Sequence, residues 1–194
     1  MTKVLCVIPA RRGSKRVKRK NIRILDHKPL ISYSVNEALK SNRIDRVVIS
    51  TDDEVISGMY PDISLERPPE LSGDDVPTID VVKHIESLVG TYDYKVILEP
   101  TTPFRTYKDI DKCIDMCIKN NLDSVVSVVQ VKNFYCYIPN GAVFVYKNDI
   151  YINKNMGLYV MPEEQSIDID TEYDFAKAEG ILKVKKNEMA STII

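Results

Sequence analysis

Val4-Leu5-Cys6-Val7-Ile8-Pro9, near the start of this 194-residue chain, is the stretch that decides its fold. Five successive apolar residues without polar alternation predict a strand that is buried on both faces. Such strands are typical of parallel sheets that helices cover on either side. Pro9 ends the run, and a polar loop follows.

Strands and helices alternate along the rest of the chain. The predicted strands are Val4–Ile8, Val47–Ile49, Tyr94–Leu98, Ser124–Val129, Gly141–Tyr146 and Leu158–Met161. The predicted helices run from Pro29 to about Ser41, from Pro77 to Leu88, from a Thr106/Asp109 cap to about Lys119, and from an Asp170-Thr171 cap to about Lys183. This alternation predicts an α/β fold with a mostly parallel sheet and helices on both faces. No linker-like segment interrupts residues 1–194, so a single domain is expected.

Composition excludes several classes of protein. The chain has 27 Lys and Arg against 28 Asp and Glu, and 44% of its residues are hydrophobic, which excludes a disordered chain and a basic coat for nucleic acid. No run of 18 apolar residues occurs, and the apolar run at the amino terminus is too short for a signal peptide. We therefore expect a cytoplasmic protein without a membrane or nucleic-acid partner. Neither histidine, His27 or His84, lies in a pattern that indicates a Ser/His/Asp relay.

A cation-rich loop follows the first predicted strand. Residues 11–20 contain seven Lys and Arg around Gly13 and Ser14. Backbone amides and cations in such a loop favour binding of phosphates, and a nucleoside triphosphate is the natural ligand. The loop is not a Walker A motif, because Ile8 stands where the first glycine is required. A solvated basic loop and an RNA-binding patch stay open as alternatives, although the loop has no aromatic residue on which bases stack.

Two carboxylates lie at the opposite end of the chain. Asp168 and Asp170 are two residues apart, so in an extended segment both side chains leave the same face. Their mutual repulsion is unfavourable unless a cation joins them. Mg²⁺ favours one or two protein carboxylates with water and phosphate as further ligands, which fits this pair. The alternative is that Asp170 caps the last helix while Asp168 is simply solvated.

Taken in order, several stretches resemble the acylneuraminate cytidylyltransferases, the CMP-sialic acid synthetase family. The similarity is collinear from about residue 3 to residue 183. The stretches that carry it are Ile8–Lys15, Lys20-Asn21, Lys28–Ile31, Val48–Asp53, Arg67–Leu71, Pro100–Arg105, Asn140–Ala142 and Ser166–Glu172.

The resemblance implies a Rossmann-like nucleotidyltransferase fold that transfers CMP from CTP to the hydroxyl of a 2-keto acidic sugar, with Mg²⁺ and release of pyrophosphate. By match to the motifs, the triphosphate is held by Arg11, Ser14, Lys15 and Lys20, and cytosine and ribose by Asn21, Arg67 and Thr78. Asp168 and Asp170 bind Mg²⁺ and, together with Lys20, are the implied catalytic residues. Glu99 and Asn140 are the implied contacts to the acceptor.

The chain also departs from the family pattern. Only about ten residues separate Val129 from Asn140, where family members carry a longer dimer-forming segment, so a homodimer is left open. Ile138 replaces a common arginine, and Glu99 replaces a common glutamine. Loss of a cation and gain of a carboxylate both disfavour an acidic sugar such as sialic acid. A cytidylyltransferase with another acceptor, and a weakly catalytic nucleotide or RNA binder, are the alternatives.

Overall fold

A computed structural model describes residues 2–132, 134–147 and 155–191, with side chains described as far as residue 188. The strands are β1 Val4–Pro9, β2 Ile24–Leu25, β3 Lys28–Pro29, β4 Arg46–Thr51, β5 Ser64–Glu66, β6 Tyr94–Ile97, β7 Ser124–Gln130, β8 Tyr137–Lys147 and β9 Met156–Met161. The helices are α1 Leu30–Lys40, α2 Glu54–Met59, α3 Thr78–Val89, α4 Tyr107–Lys119 and α5 Glu172–Ser191.

Seven strands form the central sheet in the order β5-β4-β1-β6-β8-β7-β9, and β2 and β3 form a separate small hairpin. All neighbouring pairs in the large sheet are parallel except those of β8, which runs antiparallel to β6 and β7. The predicted mostly parallel α/β sheet is therefore confirmed.

Helices cover both faces of this sheet. On one face, α1, α2 and α4 pack against β1, β4 and β6 around side chains such as Val35, Ile56 and Ile114. On the other face, Val82 and Ile85 of α3 pack against the opposite sides of the same strands. The strands β1 and β4 are thus buried from both sides, as their uninterrupted apolar sequence requires.

The predicted elements all occur, with several differences in extent. The last helix runs to Ser191 instead of about Lys183, because the residues after Lys183 include neither proline nor glycine to end it. The strand β8 begins at Tyr137, four residues before the predicted start, and its pairing with β7 is irregular between Val126 and Val128. The short elements α2, β5 and the β2-β3 hairpin were not predicted, since each is too brief for a periodic pattern.

The sheet order places a ligand site next to β1. After β4 and β5 on one side of β1, the chain returns through α3 to β6 on the other side. This change of direction is a topological switch point, and loops at the carboxyl ends of the flanking strands leave a crevice there. Within the described part of the chain, no helix has the length and apolar character needed to cross a bilayer.

Candidate active site

A cavity of about 550 Å³ opens at the carboxyl ends of β1 and β6. Three segments surround it: the cation-rich loop, the segment from Arg67 to Thr78, and the acidic segment before α5. The predicted site residues that line it are Arg11, Ser14, Lys15, Lys20, Asn21, Arg67, Thr78, Glu99, Asp168 and Asp170. The fold therefore brings together all of the predicted site residues except Asn140.

Contacts with the loop after β4 fix both ends of the cation-rich loop. The backbone NH of Arg12 donates to Asp52 at 2.6 Å, and Arg19 lies 3.3 Å from both carboxylate oxygens of Asp53. The amide nitrogen of Asn21 donates to the carbonyl oxygen of Arg11 at 3.0 Å, which closes the loop on itself. The loop is thereby anchored beside the cavity, while the side chains of Lys15 and Arg16 stay largely exposed.

Lys20 connects this loop to the acidic segment. Its Nζ donates to the carbonyl oxygen of Ile169 at 2.7 Å and lies 3.2 Å from Oδ1 of Asp170. Arg16 Nη2 lies 3.2 Å from the other oxygen of the same carboxylate. The two oppositely charged regions of the sequence thus meet in a single cavity.

The last helix is capped without the Asp170 side chain. The backbone NH of Asp174 donates to Thr171 Oγ1 at 3.2 Å, and the Asp174 carboxylate accepts from the backbone NH of Thr171 at 2.8 Å. The Thr171 part of the predicted cap is confirmed, whereas the prediction that Asp170 caps is wrong. The Asp170 carboxylate instead faces Lys20 and Arg16, because the segment is still extended there.

Asp168 and Asp170 lie on the same side of their segment. Ile167 and Ile169 alternate with the two aspartates and are buried, whereas Asp168 and Asp170 both line the cavity. Partial desolvation raises the pKa of Asp168; a hydrogen bond from Thr101 opposes this rise, and the negative charge of Asp170 adds to it. The extended backbone thus holds two carboxylates whose charges repel each other.

This pair of carboxylates suits a divalent cation that also contacts phosphate. Among the described residues, no group of three or more histidine, cysteine or acidic side chains gathers to hold a metal. Mg²⁺ is commonly held by one or two carboxylates and completes its shell with water and phosphate oxygens. The donor set therefore fits a magnesium ion that arrives with a nucleotide.

Glu99 lies on the cavity wall with its main chain held firmly in place. Its carbonyl oxygen accepts hydrogen bonds from Arg105, Thr102 and Ser34. Its carboxylate, in contrast, makes no hydrogen bond or ion pair with any residue that the structure describes. Desolvation raises the pKa of Glu99 to about 7; the charge of Arg105 opposes this rise, and that of Asp168 adds to it.

Arg105 organises the interior behind this wall. The side chain is 2% exposed and donates to Ser34 Oγ at 2.6 Å and to the carbonyl oxygens of Ala142 and Glu99. It thereby ties the loop after β6 to α1 and β8. Burial lowers the pKa of Arg105 to about 10, so the guanidinium is charged at neutral pH.

Arg67 also lines the cavity. Its side chain is buried, and Nε donates to the carbonyl oxygen of Leu71 at 2.7 Å, which fixes the guanidinium against the proline-rich turn. Burial lowers its pKa, and the nearby carboxylate of Asp52 opposes this. Thr78 is the first residue of α3 and lies on the same side of the cavity.

Asn140 does not line the cavity. Its side-chain oxygen accepts from Ser127 Oγ at 2.6 Å, and its side-chain nitrogen donates to Ser166 Oγ at 2.8 Å. It therefore links β7 and β8 to the segment that carries the aspartates. Ile138 is also absent from the lining; it pairs with Val129 in the sheet and is 53% exposed.

Sequence reasoning missed four residues at or near the cavity. Arg16, Asp74 and Thr101 line it, and Arg105 supports it from behind. The sequence did offer a signal for Arg105, since this residue ends the family-like stretch Pro100–Arg105. The partners of Arg16 and Asp74 are distant in sequence, so no local pattern could indicate them.

Several known proteins of similar sequence or fold are named as cytidylyltransferases or as CMP-sugar synthases. A sequence profile described as cytidylyltransferase matches residues 5–190. The N-acylneuraminate cytidylyltransferase of Escherichia coli O18:K1:H7 is 29% identical over 225 residues, covering 96% of this chain. The CMP-N,N'-diacetyllegionaminic acid synthase of Legionella pneumophila is 28% identical, covering 96% of this chain and 99% of that protein. This chain spans 54% of the E. coli protein, about half of its length.

A solved structure of CMP:2-keto-3-deoxy-manno-octonic acid synthetase with CTP has the same fold. Its TM-score is 0.76 at 14% identity, and the match covers 95% of this chain and 100% of that one. The central sheet of this chain therefore has the same fold as that synthetase. The profile match spans nearly the whole sequence, and the chain belongs to the cytidylyltransferase family.

Proposed function

We propose that this protein transfers CMP from CTP to the hydroxyl of a 2-keto acidic sugar, a sialic acid or a related nonulosonic acid. The reaction releases pyrophosphate and depends on Mg²⁺. The observation that carries the proposal is the cavity in which the cation-rich loop meets the aspartate pair through the Lys20–Asp170 contact. Relatives named for such reactions support the choice of substrates.

The cation-rich loop is proposed to hold the triphosphate. Arg11, Ser14, Lys15 and Lys20 line one side of the cavity, where their charges and hydroxyl group face a common space. Cations placed there offset the negative charge that builds up on the α-phosphate and on the leaving pyrophosphate. A rigid loop also aligns the phosphorus for in-line attack.

The aspartate pair is proposed to hold Mg²⁺ and to receive the proton of the acceptor. Asp168 and Asp170 would hold the metal, which would supply positive charge to offset that of the phosphates. The acceptor oxygen forms a bond to the α-phosphorus, the bond from that phosphorus to pyrophosphate breaks, and the hydroxyl proton passes to Asp168.

Asn21, Arg67 and Thr78 are proposed to bind cytosine and ribose. Arg67 and Thr78 line the same cavity as the cation-rich loop. The side-chain nitrogen of Asn21 is already bound to the Arg11 carbonyl, so its oxygen is the atom left for the nucleotide.

A different hydroxyl acceptor is the second candidate substrate. Its support is Glu99, which lines the cavity; its carboxylate has no partner among the described residues and, in its ionised form, repels a carboxylate on the sugar. Asn140 acts on the acceptor side by positioning, since it fixes Ser166 ahead of the aspartates.

Pyrophosphate release tests both candidates. The protein is incubated with CTP, Mg²⁺ and a panel of sialic, legionaminic, pseudaminic and eight-carbon 2-keto sugar acids, with neutral sugars as comparison. Turnover with a 2-keto sugar acid, lost in Asp168→Asn and retained in the exposed control Glu164→Gln, is the expected result. The enzyme proposal fails if no acceptor reacts and Asp168→Asn leaves Mg²⁺-dependent CTP affinity unchanged. RNA binding instead predicts strongly salt-dependent affinity for single strands and no response to CTP.

A further inference from the structure

Asp74 lines the cavity and contacts the cation-rich loop directly. It lies in the segment between the Pro69–Leu71 turn and α3, and its carboxylate is 2.5 Å from Arg11 Nη2. The other carboxylate oxygen forms an ion pair with Lys15. Both cations are proposed ligands of the triphosphate, so an anion of the protein already lies between them.

These ion pairs hold the Asp74 carboxylate in its charged form. The hydrogen bond from Lys15, followed by that from Arg11, lowers the pKa of Asp74. The contact also separates the charges of Arg11 and Lys15, which repel each other. In the absence of nucleotide, Asp74 therefore stabilises the arrangement of the loop.

The same ion pairs are exposed enough to exchange. The side chain of Lys15 is 80% exposed and that of Asp74 is 32% exposed. Solvated ion pairs contribute little to stability, because water and salt compete with them. A triphosphate carries several negative charges against the single charge of Asp74, and it contacts both cations at once. Exchange of Asp74 for phosphate is thus electrostatically favoured.

We propose that Asp74 is a positioning residue that competes with the triphosphate: it holds Arg11 and Lys15 in the free protein and releases them when CTP binds. The inference rests on the proposed function in one respect, that these two cations receive phosphate. Because Asp74 shares its segment with Val76 and Thr78, which also line the cavity, its release leaves that wall free to adjust around the nucleotide.

Titration calorimetry with CTP, inorganic tripolyphosphate and cytidine tests this proposal. The proteins are the wild type, Asp74→Asn and the neighbouring control Asp75→Asn, each with and without Mg²⁺. We expect Asp74→Asn to bind CTP and tripolyphosphate several-fold more tightly than the wild type, with cytidine affinity unchanged. Asp75→Asn is expected to change these affinities much less, since no ion pair joins Asp75 to another described residue.

Weaker or unchanged CTP binding by Asp74→Asn overturns the proposal, as does a change that appears only with Mg²⁺, which assigns Asp74 to the metal. Should Asp74→Asn fail to fold, Asp74→Ser removes the same charge and is measured in its place. If the wild type binds neither CTP nor tripolyphosphate, the proposed function fails together with this inference. If it binds both and the variants show no tightening, only the competition is wrong.

Discussion

Lys20 Nζ lies 3.2 Å from Oδ1 of Asp170, although the two residues are 150 positions apart in the chain. The contact joins the most basic stretch of the sequence to its acidic segment. The net charge of −1 therefore conceals two opposed charge clusters that face one cavity. Such an arrangement suits a reaction in which polyphosphate and a divalent cation meet.

Lys20→Met tests the importance of this contact. The substitution keeps much of the side-chain volume but removes the charge near the proposed leaving group. We expect kcat to fall by about 100-fold or more, the usual effect of losing one group that stabilises transition-state charge. Steady-state pyrophosphate release measures the change. Lys18→Met, at an exposed position outside the cavity lining, serves as the control, and an equal loss in both variants contradicts a specific role for Lys20.

Glu99→Gln is expected to change the pH dependence of stability. The pKa of Glu99 in the folded protein, about 7, lies above its ordinary value of 4.5, so folding disfavours the ionised carboxylate. The wild type therefore loses stability relative to Glu99→Gln as the pH rises from about 4.5 through 7. The difference reaches the order of 2 kcal/mol above pH 8, allowing for partial exposure. Thermal unfolding of both proteins between pH 5 and 8.5 measures this difference in stability. A difference that does not change with pH contradicts its assignment to the ionisation of Glu99.

Arg105→Met is expected to destabilise the fold strongly. The guanidinium satisfies buried carbonyl and hydroxyl oxygens from three parts of the chain, and methionine leaves them without a donor. We expect the free energy of unfolding to fall by about 3 kcal/mol or more. Urea denaturation compares this variant with Arg43→Met, which loses only a surface ion pair to Asp115. Equal urea midpoints for the two variants contradict the role of Arg105 in holding the interior together.

Gly141→Ala is expected to disturb the site, whereas Gly180→Ala stabilises the protein. Gly141 has a φ of 68° within β8, and a Cβ there lies 3.6 Å from Thr102 and 3.8 Å from Asp168 Oδ2. The backbone conformation costs alanine about 1–2 kcal/mol. Gly180 lies in α5 with open space around it. Alanine at this position raises the free energy of unfolding by at most about 1 kcal/mol, because alanine favours the helix more than glycine does. Opposite shifts in melting temperature are the expected result, and shifts of the same sign contradict it.

Local sequence predicted the regular elements and much of the site. The apolar run of β1, the capping box of Thr106 and Asp109, and the shared face of Asp168 and Asp170 all follow from spacing along a few residues. The family-like stretches implied roles for individual residues of the cation-rich loop and for Arg67. The fold gathers these segments at the switch point, as the strand order requires.

Only the tertiary structure decided which side chains pair with one another. The backbone propensities of residues 11–20 are the same whether their cations face solvent or a cavity; anchoring by Asp52 and Asp53 and contact with Asp74 and Asp170 decide the matter. Asn140 was expected to contact the acceptor, but its side chain instead forms hydrogen bonds with Ser127 and Ser166. Hydrophobic and polar periodicity acts over a few residues, so it determines the elements, whereas partners dozens of residues apart are set by the order in which strands enter the sheet.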